Sequence, residues 1–363
     1  MKKAFKYRIY PSGSQRELIN KTFGCVRFVY NQMLSDKIEH YELAKEYLNV
    51  TPAKYKKEYP WLKEVDSLAL ANAQMHLNTA FRNFFRFESV GYPNYKSKKN
   101  SKKSYTTSLV NNNIRFEDNK LVLPKLGPIK VKKHRELPNG AVIKSVTVSM
   151  TAAGKYYASV LLDIDLIIDT VVPKTFIGLD FSMKELFSSS EGESAEYPKY
   201  YRISEERLKK AQRKLSKCEK GSNNYYKQKL RVAKIHEKIR NRRNDFMHKL
   251  SKQIVNDFDA VCVENLFLKG LSKALKFGKS VHDDSYGLFL RLLEYKLNEL
   301  GKHLIKVDKW CPSSKTCSNF GNVKKELSLS ERIYYCEECG IIIDRDYNAS
   351  INIKNEGMRL YFA

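Results

Sequence analysis

Hydrophobic and polar residues alternate from Phe5 to Tyr10 and stop at Pro11, the pattern of a strand with one buried face. Ser12, Gly13 and Ser14 supply a turn and a helix cap. From Gln15 to about Lys103 the spacing is mostly helical. Leu18, Phe23, Val26, Val29 and Met33 form one apolar face, and Leu70, Ala73, Leu77, Ala80 and Phe84 form another, launched by a cap at Asp66 or Ser67. From Tyr105 to about Asp165 the spacing shortens to alternating runs separated by Asp118-Asn119, Gly127-Pro128, Asn139-Gly140 and Ala153-Gly154. Such short strands with frequent turns predict a small β-barrel, which the opening strand can join.

The second half is patterned differently. After a linker from Ile167 to Lys174, the run Phe176, Ile177, Leu179 ends in Asp180, and a second apolar run follows a short turn, predicting a hairpin. A helix over Ser204 to Cys218 leads through the turn Lys220–Asn224 into another that keeps Val232, Ile235, Ile239, Phe246, Leu250 and Ile254 in register. Ala260 to Glu264 reads as a strand, Lys269 to Ser280 as a basic loop, and Asp283 to Leu300 as a helix ended by Gly301, with Phe289, Leu293, Leu297 and Leu300 inside. A final helix starts at IIIDRDYNASINI.

Three acids end or launch these elements: Asp180, Glu264 and Asp346, the last with Asp344 two positions before it. Singly, each has an ordinary reading as a turn cap, a surface ion-pair partner or a helix cap. Together they are the hard oxygen donors that Mg²⁺ needs, and two such ions about 4 Å apart can clamp the attacking and leaving oxygens of a phosphodiester.

Charge points the same way. The 363 residues carry 66 Lys and Arg against 40 Asp and Glu, a formal net charge of +26. An excess of this size is the electrostatic footprint of a polyanion partner. The 23 tyrosines among 12% aromatic residues offer flat faces for unpaired bases as well as ordinary core material. In GYPNYKSKKNSKKS, Tyr92 and Tyr95 are interleaved with Lys96, Lys98, Lys99, Lys102 and Lys103 without periodicity, which fits a solvated linker or a loop on nucleic-acid phosphates. Arg240, Arg242 and Arg243 lie off the apolar face of the long helix, as a solvated surface or as a rail for a sugar-phosphate backbone.

Of seven cysteines, Cys25, Cys218 and Cys262 are scattered while Cys311, Cys317, Cys336 and Cys339 are gathered. This distribution argues against a disulfide framework and for a reducing compartment. MKKAFKYRIYPSG has no apolar core of a signal peptide and no run reaches membrane-spanning length, so a cytoplasmic protein with no membrane partner is expected. The seven histidines show no metal-ligand spacing.

The motifs IGLDFSMKE, VCVENL, PSSKTCS, CEECG and DRDYNASINI, in this order, resemble the TnpB/OrfB proteins of bacterial transposons, relatives of the type V CRISPR effectors. The resemblance extends to GCVRFVYNQML and SLALANAQMHLNTAFRNFF near the N-terminus. It implies an α+β multidomain fold: a β-barrel wedge domain from residues 1–10 and 105–170, a helical recognition insert at 11–104, a RuvC-like (RNase H-like) mixed sheet with helices from 171–310 and 341–363, and a zinc-ribbon-like insert binding target nucleic acid at 311–340. It implies an RNA-guided DNA endonuclease using two Mg²⁺ ions on Asp180, Glu264 and Asp346, a guide RNA from the transposon end, a double-stranded DNA target and a nucleoid location. Asp346 rather than Asp344 matches the family's catalytic position, two residues before Asn348. The loop at Lys269–Ser280 resembles the family's mobile lid.

In the ribbon this chain departs from the family. CEECG is an intact knuckle, but the other reads Cys317, Ser318, Asn319, Phe320, Gly321, with Phe320 where a cysteine is expected. Either Cys311 compensates, giving a Zn²⁺ site of Cys311, Cys317, Cys336 and Cys339, or the site is defective and Phe320 adds apolar packing. The damaged knuckle also admits a guide-RNA and DNA-binding protein that no longer cleaves, a decayed copy or a regulator. A third reading is an autonomous transposase.

Overall fold

The computed structural model describes residues 1–99, 102–165, 168–182, 185–266, 286–328 and 330–363. The basic loop Lys269–Ser280 and the expected helix start at Asp283 lie outside them. The chain forms two compact units, residues 1–166 and 167–363.

The first unit opens with β1 (Lys2–Tyr10), whose Phe5, Tyr7 and Ile9 are buried in alternation. Helix α1 (Gly13–Ala44) starts at a capping box: Gln15 N–H donates to Ser12 Oγ at 3.3 Å and Ser12 N–H to Gln15 Oε1 at 3.0 Å. These bonds satisfy amides that the first turn leaves orphaned. Ile19, Phe23, Val26, Val29 and Met33 form its buried stripe. The short α2 (Pro52–Glu58) and a 3₁₀ turn (Pro60–Lys63) lead to α3 (Ser67–Arg86), capped by Asp66, which accepts from Leu68 N–H at 3.0 Å. The helical region ends there; no helix follows among the described residues up to Lys103, because GYPNYKSKKN has no apolar face to bury.

Strands β2 (Lys103–Ser108), β3 (Arg115–Glu117), β4 (Lys120–Leu123), β5 (Gly127–Lys132), β6 (Val142–Met150) and β7 (Tyr156–Asp163) join β1 in an antiparallel sheet of order β2-β6-β7-β1-β5-β4-β3. The expected barrel strands are thus present, with β2 and β3 not paired to each other among the described residues. Sheet and helices α1 to α3 share one hydrophobic core. The helical insert is a division of the chain rather than of the packing.

The second unit is built on β8 (Phe176–Phe181), β9 (Phe187–Ser189), β10 (Ala260–Glu264) and β11 (His303–Val307), in the order β11-β10-β8-β9. β8, β10 and β11 are parallel, and β9 returns antiparallel from β8. Phe176 to Asp180 and Ala260 to Val263 are buried throughout, as parallel strands covered on both faces must be. One face, with Ile177, Leu179, Val261 and Val263, packs with Met247, Ile254 and Val255 of α5 (Asn223–Asp257) and Phe289, Leu293 and Leu297 of α6 (Tyr286–Glu299). Helix α4 (Tyr200–Ser216) pairs with the first half of α5 through Leu208, Ala211, Ile235 and Ile239.

The other face lies under α7 (Arg345–Phe362). Gly178 and Gly357 permit this contact. A Cβ on Gly178 would stand 2.1 Å from Ser350 O, and one on Gly357 would stand 2.2 Å from Cys262 Sγ. Between β11 and α7, a hairpin of β12 (Ile333–Tyr335) and β13 (Ile342–Asp344) carries the cysteine-rich segment, with Cys317, Tyr334 and Cys336 in a small core of their own.

Candidate metal centre

Side chains two apart on a strand share a face. Gly178 and Cys262 touch α7, so Asp180 and Glu264, two residues on, project from that same face at the ends of neighbouring parallel strands. The last paired positions are Leu179 and Val263, and the two acids follow one step beyond on each strand. Asp346 lies in the first turn of α7, the helix covering this face. Asp344 is that helix's N-cap, its Oδ1 accepting from the amides of Asp346 and Tyr347 at 2.9 Å each.

Electrostatics place the three acids in one field. The Asp180 carboxyl is raised well above the usual aspartate range, first by burial, then by the charges of Glu264 and Asp346, while Arg345 opposes the shift. Buried like charges disfavour ionisation, and a divalent cation relieves that cost. Among the described residues the three acids do not close into a group whose oxygens all lie within 4.8 Å of one another. Instead Asp346 accepts from Arg345, with Nη2 to Oδ1 at 3.3 Å, and Arg332 Nη1 is 3.8 Å from its Oδ2. The donors are oxygens only, at the end of a sheet, which suits Mg²⁺. Tyr286 adds a buried hydroxyl without a hydrogen-bond partner among the described residues; burial raises its pKa, with further contributions from Asp180 and Glu264.

A polar clamp that periodicity does not reveal joins this site to the ribbon. Ser313 Oγ donates to Glu264 Oε1 at 2.7 Å. The fully buried Asn348 accepts from Ser318 N–H at 3.0 Å and donates to Thr316 O at 2.7 Å, and Asn352 donates to Ser313 O and Thr316 O at 2.8 and 2.7 Å. Ser313 stands in PSSKTCS and both asparagines in DRDYNASINI, so the motifs contained the clamp, but the pairing across them is set only by the fold.

The cysteines separate. Cys317, Cys336 and Cys339 bring their sulfurs within 4.8 Å of one another. Cys311 does not join them; it packs against the cluster of Phe176, Cys262, Val307 and Ile353 beneath α7. Among the described residues the four-thiolate arrangement with Cys311 is therefore not formed, because Cys311 is packed in that apolar cluster instead. Nor does Phe320 add apolar packing, since its side chain is 66% exposed.

Among the basic candidates, Lys96 is partly buried in the first unit, its ammonium 3.6 Å from the centroid of the Tyr30 ring and its backbone bonded to Asn31. Burial lowers its pKa. With Lys98, Lys102 and Lys103 it lines a cavity floored by Phe23, Val26 and Tyr105; Lys99 is exposed nearby. Arg240 and Arg242 are exposed on α5, while Arg243 donates from Nε to Tyr197 OH at 3.3 Å.

Comparison with known proteins decides the family. A protein of Streptomyces pristinaespiralis named "Putative RNA-guided DNA endonuclease" is 37% identical over 372 residues, covering 99% of this chain and 90% of its own. The chain belongs to the TnpB/OrfB family. A protein of Escherichia coli K12 named "Putative RNA-guided DNA endonuclease InsQ" is 27% identical over 98% of this chain and 92% of its own. A family model described as "Probable transposase" matches residues 159–275, one described as "Cas12f1-like, TNB domain" matches 286–353, and a "Helix-turn-helix domain" model matches 1–46, which here are strand β1 and the single helix α1. The TnpB fold extends to a solved protein chain from a cryo-EM structure of the Cas12f1-sgRNA-target DNA complex, at a TM-score of 0.60 and 15% identity over 98% of this chain and 99% of that one. Among the described residues no helix is long and apolar enough to cross a membrane.

Proposed function

We propose that this TnpB-family chain is an RNA-guided, Mg²⁺-dependent DNA endonuclease whose RuvC-like centre is Asp180, Glu264 and Asp346. The observation that carries the proposal is the presentation of Asp180 and Glu264 side by side under the helix that bears Asp346, with the Asp180 carboxyl raised by burial and then by the other two. Asp180, Glu264 and Asp346 would hold a pair of Mg²⁺ ions, which would supply water activation and charge stabilisation for phosphodiester hydrolysis. The chain's own part is to hold the oxygens. The sheet fixes Asp180 and Glu264, the Asp344 cap fixes the first turn carrying Asp346, and Ser313 orients Glu264. Arg345 screens Asp346 until the centre is filled.

The guide RNA would derive from the transposon end and pair with one strand of double-stranded DNA, so base pairing would deliver specificity. The +26 charge, Lys96, Lys98 and Lys99 of the first unit and Arg240 and Arg242 of α5 would hold backbone phosphates. In this reading the first unit is the wedge domain with its helical recognition insert.

The test is cleavage of plasmid DNA by protein co-expressed with RNA from its own locus, in Mg²⁺ or EDTA, beside Asp180→Ala. Targeted cutting that needs guide, metal and Asp180 supports the proposal. Guide-dependent binding without cutting supports instead a binding protein that has lost cleavage, a reading favoured by Phe320 in the first knuckle. Strand transfer of transposon ends by protein alone would favour a transposase.

A further inference from the structure

The two knuckles of the ribbon are bonded alike although their sequences differ. In the intact one, Cys336 N–H donates to Ile341 O at 3.0 Å and Gly340 N–H to Cys336 O at 2.9 Å. In the altered one, Cys317 N–H donates to Asn322 O and Gly321 N–H to Cys317 O, each at 2.8 Å. Gly340 and Gly321 have φ of 72° and 80°, the left-handed conformation that lets each turn close. Residue 320 therefore occupies the place in the first knuckle that Cys339 occupies in the second.

The first knuckle keeps this turn with a phenylalanine in the ligand position. The Phe320 amide donates to Cys317 Sγ at 3.4 Å, and Cys317 Sγ lies 3.6 Å from Cys339 Sγ. Three sulfurs thus converge, while the Phe320 ring, 66% exposed, turns to solvent rather than into their midst. Cys311 packs elsewhere. The Asn319 side chain reaches the Cys339 sulfur and is the neighbouring protein group to be tested as a fourth donor.

We propose that Cys317, Cys336 and Cys339 form a three-thiolate Zn²⁺ site whose fourth coordination position, vacated by the Cys-to-Phe change at 320, takes an exchangeable donor from solution. Zn²⁺ prefers four ligands, and three protein ligands leave one position for water or another small donor. The site differs from a closed four-thiolate ribbon in two ways: it exchanges metal more readily, and it admits a monodentate nitrogen or sulfur ligand. It does not depend on the nuclease reading, because none of the three cysteines belongs to the acidic centre.

The experiment uses full-length protein loaded with Co²⁺ in place of Zn²⁺, followed by absorption spectroscopy. The wild type should bind one ion with sulfur-to-metal charge-transfer intensity about three-quarters that of Phe320→Cys, three thiolates against four. Imidazole should shift the wild-type visible bands and leave those of Phe320→Cys in place. Cys311→Ser should match the wild type, and Phe320→Cys should retain Zn²⁺ against a chelator about tenfold or more better. Failure of the wild type to bind while Phe320→Cys binds would overturn the proposal. So would a loss of charge-transfer intensity in Cys311→Ser, or a wild-type spectrum indifferent to imidazole, which would mean that Asn319 or another protein group closes the site.

Discussion

Ser313 Oγ donates to Glu264 Oε1 at 2.7 Å, so the loop entering the cysteine ribbon holds one carboxylate of the proposed nuclease centre. Groups that orient metal ligands typically contribute 10- to 100-fold in affinity or activity. Ser313→Ala is expected to lower Mg²⁺-dependent cleavage by about that factor while guide-dependent DNA binding is retained. Equal loss of binding and cleavage would assign Ser313 to the fold rather than to the centre.

Asp180 makes stability depend on pH. Its carboxyl is raised by burial, Glu264 and Asp346, so between the ordinary aspartate value and the raised one the folded protein keeps a proton that the unfolded chain has lost. Stability of the metal-free protein therefore falls as pH rises through that window, and Mg²⁺ binding, which needs the carboxylate, strengthens over it. Asp180→Asn should flatten that fall, raise the neutral-pH melting temperature by a few degrees and reduce cleavage on the order of 10²-fold or more. Melting curves across pH, with and without Mg²⁺, check this; an unchanged slope in Asp180→Asn would remove Asp180 as its source.

Tyr286 buries a hydroxyl with no hydrogen-bond partner among the described residues, within the field of Asp180 and Glu264. An unsatisfied buried polar group costs about 1–3 kcal/mol. Tyr286→Phe is thus expected to stabilise the metal-free protein by up to that amount in urea unfolding. A destabilised variant would show that the hydroxyl is satisfied in solution.

Gly178 is where α7 comes closest to β8. A Cβ there meets Ser350 O at 2.1 Å and Lys354 N at 2.6 Å, backbone atoms that no rotamer change can move aside. Gly178→Ala should cost at least about 1–3 kcal/mol and, by lifting α7, separate Asp346 from Asp180. The expected result is lost cleavage in a chain that still folds at low temperature, measured by thermal melts beside the plasmid assay; wild-type stability would contradict the close packing.

Strands β8 and β10 were legible because each is an apolar run ending in the carboxylate it presents, Asp180 or Glu264; β11 was not, since most of its side chains are half-exposed and Lys306 interrupts the run. Ser12 was legible as a cap, and Asp66 as one of two neighbouring candidates with Ser67, because cap chemistry is local. The destination of Cys311 was not, since six residues of linear separation from Cys317 say nothing of the direction in which the chain leaves β11. The same holds for the Phe320 ring, whose exposure follows from the knuckle's turn. The clamp of Ser313, Asn348 and Asn352 was hidden because polar residues, in the loop or on the covered side of α7, do not mark an apolar face and their partners lie across the fold.

Because α7 carries Asp346 as well as the asparagines that fasten the ribbon, the order of synthesis has a consequence. The strands bearing Asp180 and Glu264 emerge from the ribosome long before this helix does. A nascent chain, or one interrupted before residue 345, can display a basic surface and two of the acids but cannot assemble the third beside them. If Asp180, Glu264 and Asp346 form the proposed cutting centre, that centre stays incomplete until the helix bearing Asp346 has been made.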